Sequence, residues 1–192
     1  MSKRPVILGI DPGSRQTGYA LLAEESHGWV ALEVGVIRLA NIDNQSERLD
    51  RIFMEVAGLI KRFNPTDAAI ETPVYSVDPL AMLKLGRAQA AAMLAIRKSG
   101  LPVTEYYPKA IKKAVTGNGN ASKKQVAGML CRLVSVENES MASDASDALA
   151  IAWCHQLEQK RPAGLTRTRT YHQNNKKSGW AAFVDENPDR VR

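Results

Sequence analysis

Four carboxylates stand where apolar segments of the chain begin or end. Asp11 and Glu71 each close a short apolar run, and Asp144 and Asp147 lie three residues apart just before the apolar stretch 148–153. A charged group beside apolar packing costs free energy unless it is paired or binds a metal. Three such places in one short chain predict a single acidic site assembled from distant segments.

Carboxylate oxygens are hard ligands, which select Mg²⁺ or Mn²⁺ over zinc. Two such metals, about 3.5–4 Å apart, clamp both sides of a phosphoryl transfer: one helps to deprotonate the attacking water and the other stabilises the leaving oxygen. The histidines, His27, His155 and His172, are too far apart in sequence to indicate a competing site. The acids therefore predict a metal-dependent nuclease site that holds two Mg²⁺, for which Mn²⁺ can substitute.

Each acid also has a structural alternative. Asp11 could cap the Pro-Gly turn that follows it, Glu71 could face water at a strand end, and Asp144 suits a helix N-terminus. A position at a helix N-terminus explains Asp147 less well. Residues at i and i+3 share a helix face, where like charges repel unless a cation lies between them. Residues 148–153 are apolar all round, which implies a buried helix, so we expect Asp147 to point at something specific.

Periodicity predicts the elements that must position these acids. Strands are expected at 5–11, 17–23 and 29–38, and their short connections indicate an antiparallel meander. A helix from Ser46 to about Phe63 leads into a fourth strand at 67–71, expected to lie parallel to the first.

The second half of the chain continues this alternation. The expected elements are a helix at 79–99, a fifth strand at 102–107, a short basic helix opened by Pro108, a helix capped by Ser122 that runs to about Val134, and a last helix from Ser143, read as its cap, to about Gln159. This order is that of an α/β, ribonuclease H-like fold. Its five-stranded mixed sheet has three antiparallel and two parallel strands, flanked by helices.

Positive charge is concentrated in one segment. The net charge is +6, but residues 84–124 alone hold nine Lys or Arg against one acid, Glu105, which is +8. A basic segment next to an acidic site fits a metal centre that acts on a polyanion. The alternative is a solvated helix face. We expect a nuclease domain at 1–159 and a flexible basic tail at 160–192.

Composition excludes several other classes of protein. Hydrophobic and charged fractions of 44% and 24% are ordinary for a soluble protein, and no apolar run approaches the roughly 20 residues of a membrane span. The first five residues lead directly into a strand and do not resemble a signal peptide. Cys131 and Cys154 are isolated, which suits a reducing compartment, and both are expected to be small core residues. We therefore expect a cytoplasmic protein without a membrane partner.

Taken in order, these motifs resemble the RuvC family of Holliday junction endodeoxyribonucleases. The resemblance covers about Val6 to His155. Three stretches carry it: Ile10-Asp11-Pro12-Gly13-Ser14-Arg15 with Thr17-Gly18-Tyr19; Ala69-Ile70-Glu71 with Leu83-Lys84-Leu85-Gly86; and Asp144-Ala145-Ser146-Asp147-Ala148-Leu149-Ala150-Ile151-Ala152. YqgF-type relatives share the first stretch, but the three in this order are highly specific.

The resemblance implies a homodimeric endonuclease of recombination and DNA repair. Such enzymes introduce paired, symmetric nicks across a four-way junction, leave ligatable 5′-phosphate and 3′-hydroxyl ends, and work with the RuvA–RuvB branch-migration complex. The implied catalytic metal ligands are Asp11, Glu71, Asp144 and Asp147, although some relatives carry His at the position of Asp144. We place the dimer contact on the helix at 79–99. Its many small residues permit close packing, either on the sheet or against another subunit.

Basic residues of the family also have matches in this chain. Lys112 and Lys123 fall where the family has basic residues important for activity, with simple phosphate contact or solvation as the alternative. Other residues expected to contact DNA are Tyr75, Lys84, Arg87, Lys109, Lys113 and Lys124. Some members carry a base-stacking aromatic three residues after the strand-four glutamate. Here that position is Val74, and Tyr75 follows it, as a stacking candidate or as a loop residue packed on a proline.

Three other functions fit part of the sequence pattern. A YqgF-type RNA-processing nuclease is disfavoured by the Asp-Ala-Ser-Asp helix and the Lys-Leu-Gly helix. An actin-like ATPase or sugar kinase needs further glycine-rich phosphate loops and usually far more chain. A junction-binding protein without catalysis fits the charge distribution, but the complete set of four acids argues against it.

Overall fold

The computed structural model describes residues 4–74, 78–136 and 143–160. Within them the strands are β1 Val6–Asp11, β2 Gln16–Glu25, β3 Gly28–Arg38, β4 Asp67–Glu71, β5 Val103–Tyr106 and β6 Val134–Val136, and the helices are α1 Gln45–Phe63, α2 Pro79–Lys98, α3 Pro108–Thr116, α4 Lys123–Leu133 and α5 Ser143–Gln159. The predicted helices and the first five strands are therefore present at nearly the expected positions. Residues 161–192, nearly all of the predicted tail, lie outside the described residues.

The strands form one mixed sheet in the order β5-β4-β1-β2-β3-β6. β1, β2 and β3 pair antiparallel, and β4 lies parallel to β1, which confirms the meander and the parallel fourth strand. The described sheet has six strands, so the prediction of five was wrong. The missed strand, β6, pairs parallel to β3 at Trp29–Ala31. Its three residues directly follow α4, and so short a run shows no alternation that separates it from the end of a helix.

Alternating side chains of the sheet build two cores. On one face, Ile7 of β1 packs with residues of α3, α4 and α5. On the other, Leu8 and Ile10 pack with residues of α1 and α2. Because successive side chains of a strand point to opposite faces, Asp11 lies on the same face as Ile7, which is the face that α5 covers.

Local signals explain most helix starts. Helix α1 starts at Gln45, one residue before the predicted Ser46, and Asn44 caps it by accepting a hydrogen bond from the Ser46 backbone amide. Ser122 caps α4 in a capping box with Gln125, as predicted. Ser143 is the first residue of α5.

Two further predictions concern the burial of the cysteines and the absence of a membrane span. Cys154 is buried as expected, but Cys131 is exposed, so its assignment to the core was wrong. In the described part of the chain, the helices are too short or too polar to cross a membrane.

Candidate active site

Asp11 and Glu71 leave the sheet side by side. They are the last residues of β1 and β4, which run parallel in a register that pairs Ile10 with Ile70. The next residue on each strand therefore emerges at the same edge of the sheet and on the same face. This confirms the expected proximity of the two strand ends.

Two glycines let α5 lie close enough to bring its acids to that edge. A Cβ atom on Gly9 would lie 2.2 Å from the backbone oxygen of Ala148, and one on Gly18 would lie 2.1 Å from the backbone oxygen of Asp144. Any side chain at either position would push the helix off the sheet. Glycine inside a strand signals a close approach of another backbone, but the local sequence does not mark which helix approaches.

The four predicted acids lie near one another, three of them as a close group and the fourth beside it. Oxygen atoms of Asp11, Asp144 and Asp147 all lie within 4.8 Å of one another. Glu71 is outside that group but lines the same cavity, of about 220 Å³, as Asp11 and Asp147. The described residues that line the cavity are Asp11, Glu71, Pro108, Ile111, Lys112, Lys123, Val126, Asp147 and Ala150.

Burial and the repulsion of neighbouring acids raise the pKa values of Asp11 and Glu71. Burial, followed by the charges of Glu71 and Asp147, raises the pKa of Asp11 to about 8. Burial and the charge of Asp147 raise the pKa of Glu71 to about 7. A bound cation would reverse both effects, because it favours the ionised carboxylates. The donor set, oxygen atoms alone, fits a hard divalent cation such as Mg²⁺ or Mn²⁺.

Two lysines face this acidic cavity from different helices. Lys123, the first residue of α4, forms an ion pair with Asp147, and that hydrogen bond raises the pKa of the lysine. Lys112 of α3 also lines the cavity, and its charge acts to lower the pKa of Glu71. Both lysines therefore place positive charge in the cavity that the acids line.

Gln16 is a contact of the site that sequence reasoning missed. It is the first residue of β2, and its side-chain amide donates a hydrogen bond to the carboxylate of Asp144. Asp144 is thus held in the acidic group and is more than a favourable charge at a helix start. No sequence signal marked Gln16, because the contact joins segments 128 positions apart.

The other predicted DNA contacts lie away from the cavity. Lys84 and Arg87 on α2, Lys109 and Lys113 on α3, and Lys124 on α4 are all exposed. None of them is among the described residues that line the cavity. Tyr75 lies outside the described residues, and its neighbour Val74 is 50% exposed.

Known proteins resemble the chain over most of its length. Residues 7–155 match the family described as crossover junction endodeoxyribonuclease RuvC. The chain is 46% identical to the protein of that name from Salinibacter ruber, an alignment that covers 97% of this chain and 98% of the relative. It is 43% identical to the one from Porphyromonas gingivalis, with 99% and 98% covered.

A solved structure shares both the fold and part of the sequence. It is described as T. thermophilus RuvC in complex with Holliday junction substrate. It matches with a TM-score of 0.73 and 31% identity, and the match covers 79% of this chain and 93% of that chain.

Proposed function

The chain belongs to the RuvC family of crossover junction endodeoxyribonucleases, and from that membership we propose that it resolves four-way (Holliday) DNA junctions. The reaction is a pair of symmetric nicks during recombination and DNA repair, with 5′-phosphate and 3′-hydroxyl products. The observation that carries the proposal is the convergence of acids from β1, β4 and α5 in one cavity that two lysines also line.

We propose Mg²⁺ as the cofactor, with two ions per active site and Mn²⁺ as a substitute. Asp11, Glu71, Asp144 and Asp147 would hold them. When bound, the metal supplies Lewis-acid stabilisation of the phosphate and a more acidic water. The raised pKa values of Asp11 and Glu71 support this assignment, since the protein leaves a surplus of negative charge in a cavity that excludes much of the solvent.

The lysines bind the phosphate that the acids alone would repel. Lys112 and Lys123 come from separate helices, so each can contact a phosphate oxygen from a different direction. Lys123 already bonds Asp147, which fixes its ammonium group at the acidic cluster. The two lysines thus neutralise charge on the phosphate at the scissile bond.

Exposed basic side chains are proposed to bind the rest of the junction. Lys84, Arg87, Lys109, Lys113 and Lys124 supply charge to phosphates outside the cavity, which binds DNA without reading its sequence. Tyr75 is proposed to stack on a base at the crossover. The basic tail at 160–192 adds nonspecific affinity for DNA.

We also propose a homodimer, with one active site for each strand that is cut. The supporting feature is α2, whose Leu80, Leu83 and Leu94 are 67%, 49% and 58% exposed. Four small residues of α2, Ala88, Ala91, Ala92 and Ala95, are buried against the sheet and α1 and do not form this surface, whereas Ala90 is exposed. A partnership with RuvA–RuvB and a cytoplasmic location are proposed from family membership.

Cleavage of synthetic junctions tests the proposal most directly. The purified chain should nick a four-way junction with Mg²⁺, stop in EDTA, and leave a linear duplex and a structured RNA largely uncut. The products should be sealed by DNA ligase. Preferential cutting of the RNA would instead support a YqgF-type function, and junction binding without cutting would support the non-catalytic alternative.

A further inference from the structure

Glu105 occupies an unusual place in the basic middle segment. It is the single acid among residues 84–124 and lies on β5, next to β4 in the sheet. Its Oε2 atom accepts hydrogen bonds from Gln89 Nε2 at 2.8 Å and from Thr72 Oγ1 at 3.3 Å. Among the described residues, the carboxylate is thus bonded by two neutral side chains, although nine cations lie in the same segment.

The two donors stand on either side of the connection between β4 and α2. Thr72 is the first residue after Glu71, and Gln89 lies in the middle of α2. The backbone amide of Thr72 also donates to the Tyr106 oxygen at 2.9 Å. Thr72 is therefore fixed through both its backbone and its side chain, just beyond the last residue of β4.

This arrangement acts on Glu71 from the opposite face of the sheet. Glu71 faces α5, so Thr72, the next residue, faces α2, where Glu105 and Gln89 lie. A restraint on Thr72 limits rotation of the backbone that directs the Glu71 side chain into the cavity.

We propose that Glu105 is a positioning residue that ties Thr72 to α2 and thereby orients Glu71 at the metal site. It touches neither the metal nor the phosphate, and its influence passes through Thr72. The inference rests on the proposed function, because Glu71 is assigned there as a metal ligand. Groups that orient a metal ligand typically change metal affinity or activity about 10–100-fold when they are lost.

Three variants separate positioning from general stability. Thr72→Val removes the hydroxyl donor at nearly constant shape, Glu105→Ala removes the acceptor, and Glu105→Gln keeps an oxygen that can accept a hydrogen bond. Mn²⁺ binding to the DNA-free protein, followed by electron paramagnetic resonance, should weaken about 10-fold in Glu105→Ala, less in Thr72→Val, and should largely recover in Glu105→Gln. The Mg²⁺ concentration for half-maximal junction cutting should rise in parallel, with junction affinity unchanged.

A matched control removes the same charge elsewhere. Glu55→Ala on α1 deletes a carboxylate that pairs with Arg51 at the surface, and its Mn²⁺ affinity should equal that of the wild type. In the Glu105→Ala background, adding Thr72→Val should change Mn²⁺ affinity no further, since both substitutions break one contact.

A lower thermal midpoint with wild-type Mn²⁺ affinity and Mg²⁺ dependence in Glu105→Ala and Thr72→Val would overturn the inference. A wild-type protein that binds Mn²⁺ but cuts no junction would overturn the proposed function, and the Mn²⁺ titration would still test Glu105.

Discussion

Two clusters of ionisable groups lie along α5, and they differ in whether the protein itself supplies partners for their polar atoms. Near its start, Asp144 and Asp147 meet Asp11 in a group of acids. Near its end, His155 is 4% exposed, and its Nδ1 atom lies 2.9 Å from the Tyr106 hydroxyl.

The histidine has internal partners for both ring nitrogens. Its Nε2 atom lies 3.0 Å from Gln159 Nε2 and 3.8 Å from Asp67 Oδ1. Burial lowers the pKa of His155, so the ring stays neutral and is complemented within the protein. In the acidic cluster, the same physical effect, burial, raises the pKa of Asp11 because it penalises the charged carboxylate, and the charges of Glu71 and Asp147 raise it further.

The contrast teaches how to tell a site from a core. A buried polar group that finds its partners in the protein is part of the packing, whereas a surplus of one charge needs something from outside. Both clusters lie on one helix and within one hydrophobic layer, so burial alone does not distinguish them. The balance of donors and acceptors does.

The largest expected effect comes from removing one acid of the first cluster. Asp11→Asn should reduce the rate of junction cutting by about 10³-fold or more, because the amide cannot bind a divalent cation as a carboxylate does. Junction binding measured by gel shift in EDTA should survive. Asp50→Asn, an exposed acid of α1, serves as the control and should cut normally. An Asp11→Asn protein with near wild-type cutting would remove Asp11 from the metal ligands.

A smaller loss is expected from the lysine that faces the acids. Lys123→Ala should lower the rate about 10–100-fold at subsaturating DNA and moderate salt, since it loses charge stabilisation of the phosphate at the scissile bond. Lys61→Ala, on the opposite side of the sheet, removes the same charge from an exposed position of α1 and should leave the rate unchanged. Equal rates for Lys123→Ala and wild type would indicate that Lys123 is a solvated surface residue with no role in cutting.

In the metal-free protein, the two clusters should change the free energy of unfolding with pH in opposite directions. Asp11 and Glu71 have pKa values of about 8 and 7, above their ordinary range, so the folded state binds protons more tightly than the unfolded state. Their contribution is favourable at low pH and is lost as pH rises from about 4 to 8.

Thermal unfolding in EDTA measures this effect. At pH 8.5, Asp11→Asn should melt about 5 °C above the wild type, because it removes charge repulsion, and saturating Mg²⁺ should close that gap by raising the wild type. An Asp11→Asn midpoint equal to or below that of the wild type in EDTA would contradict the surplus of negative charge.

Different parts of this molecule were predictable from sequence to different degrees, for physical reasons. Asp11 and Glu71 could be identified because each ends an apolar strand, and adjacent parallel strands bring their ends together. The start of α1 was predicted one residue late, at Ser46 and not at Gln45, because Asn44 and Ser46 are both residues that favour a helix N-terminus. β6 was missed because three residues are too few to show an alternation of apolar and polar side chains.

Contacts between side chains distant in sequence were not predictable. Gln16 bonds Asp144 because α5 packs across β2, and Glu105 bonds Thr72 because β4 and β5 are neighbours in the sheet. No local pattern encodes either meeting. The cavity itself depends on Gly9 and Gly18, whose significance depends on which helix crosses them. Sequence therefore predicted which residues could do chemistry better than it predicted what holds them in place.

The smallest effect is expected from the satisfied cluster. Tyr106→Phe removes the hydroxyl that bonds His155 and should lower the free energy of unfolding by about 1 kcal/mol at pH 8. Because the pKa of His155 is depressed in the folded state, its contribution is present above the ordinary histidine range and is lost as pH falls below about 6.5. In His155→Gln, the free energy of unfolding should fall less as the pH drops below about 6.5. This pH dependence is opposite in sign to that of Asp11. The Mn²⁺ affinity of the variant should be unchanged. A His155→Gln protein that lost metal affinity would show that the two ends of α5 are one site and not two.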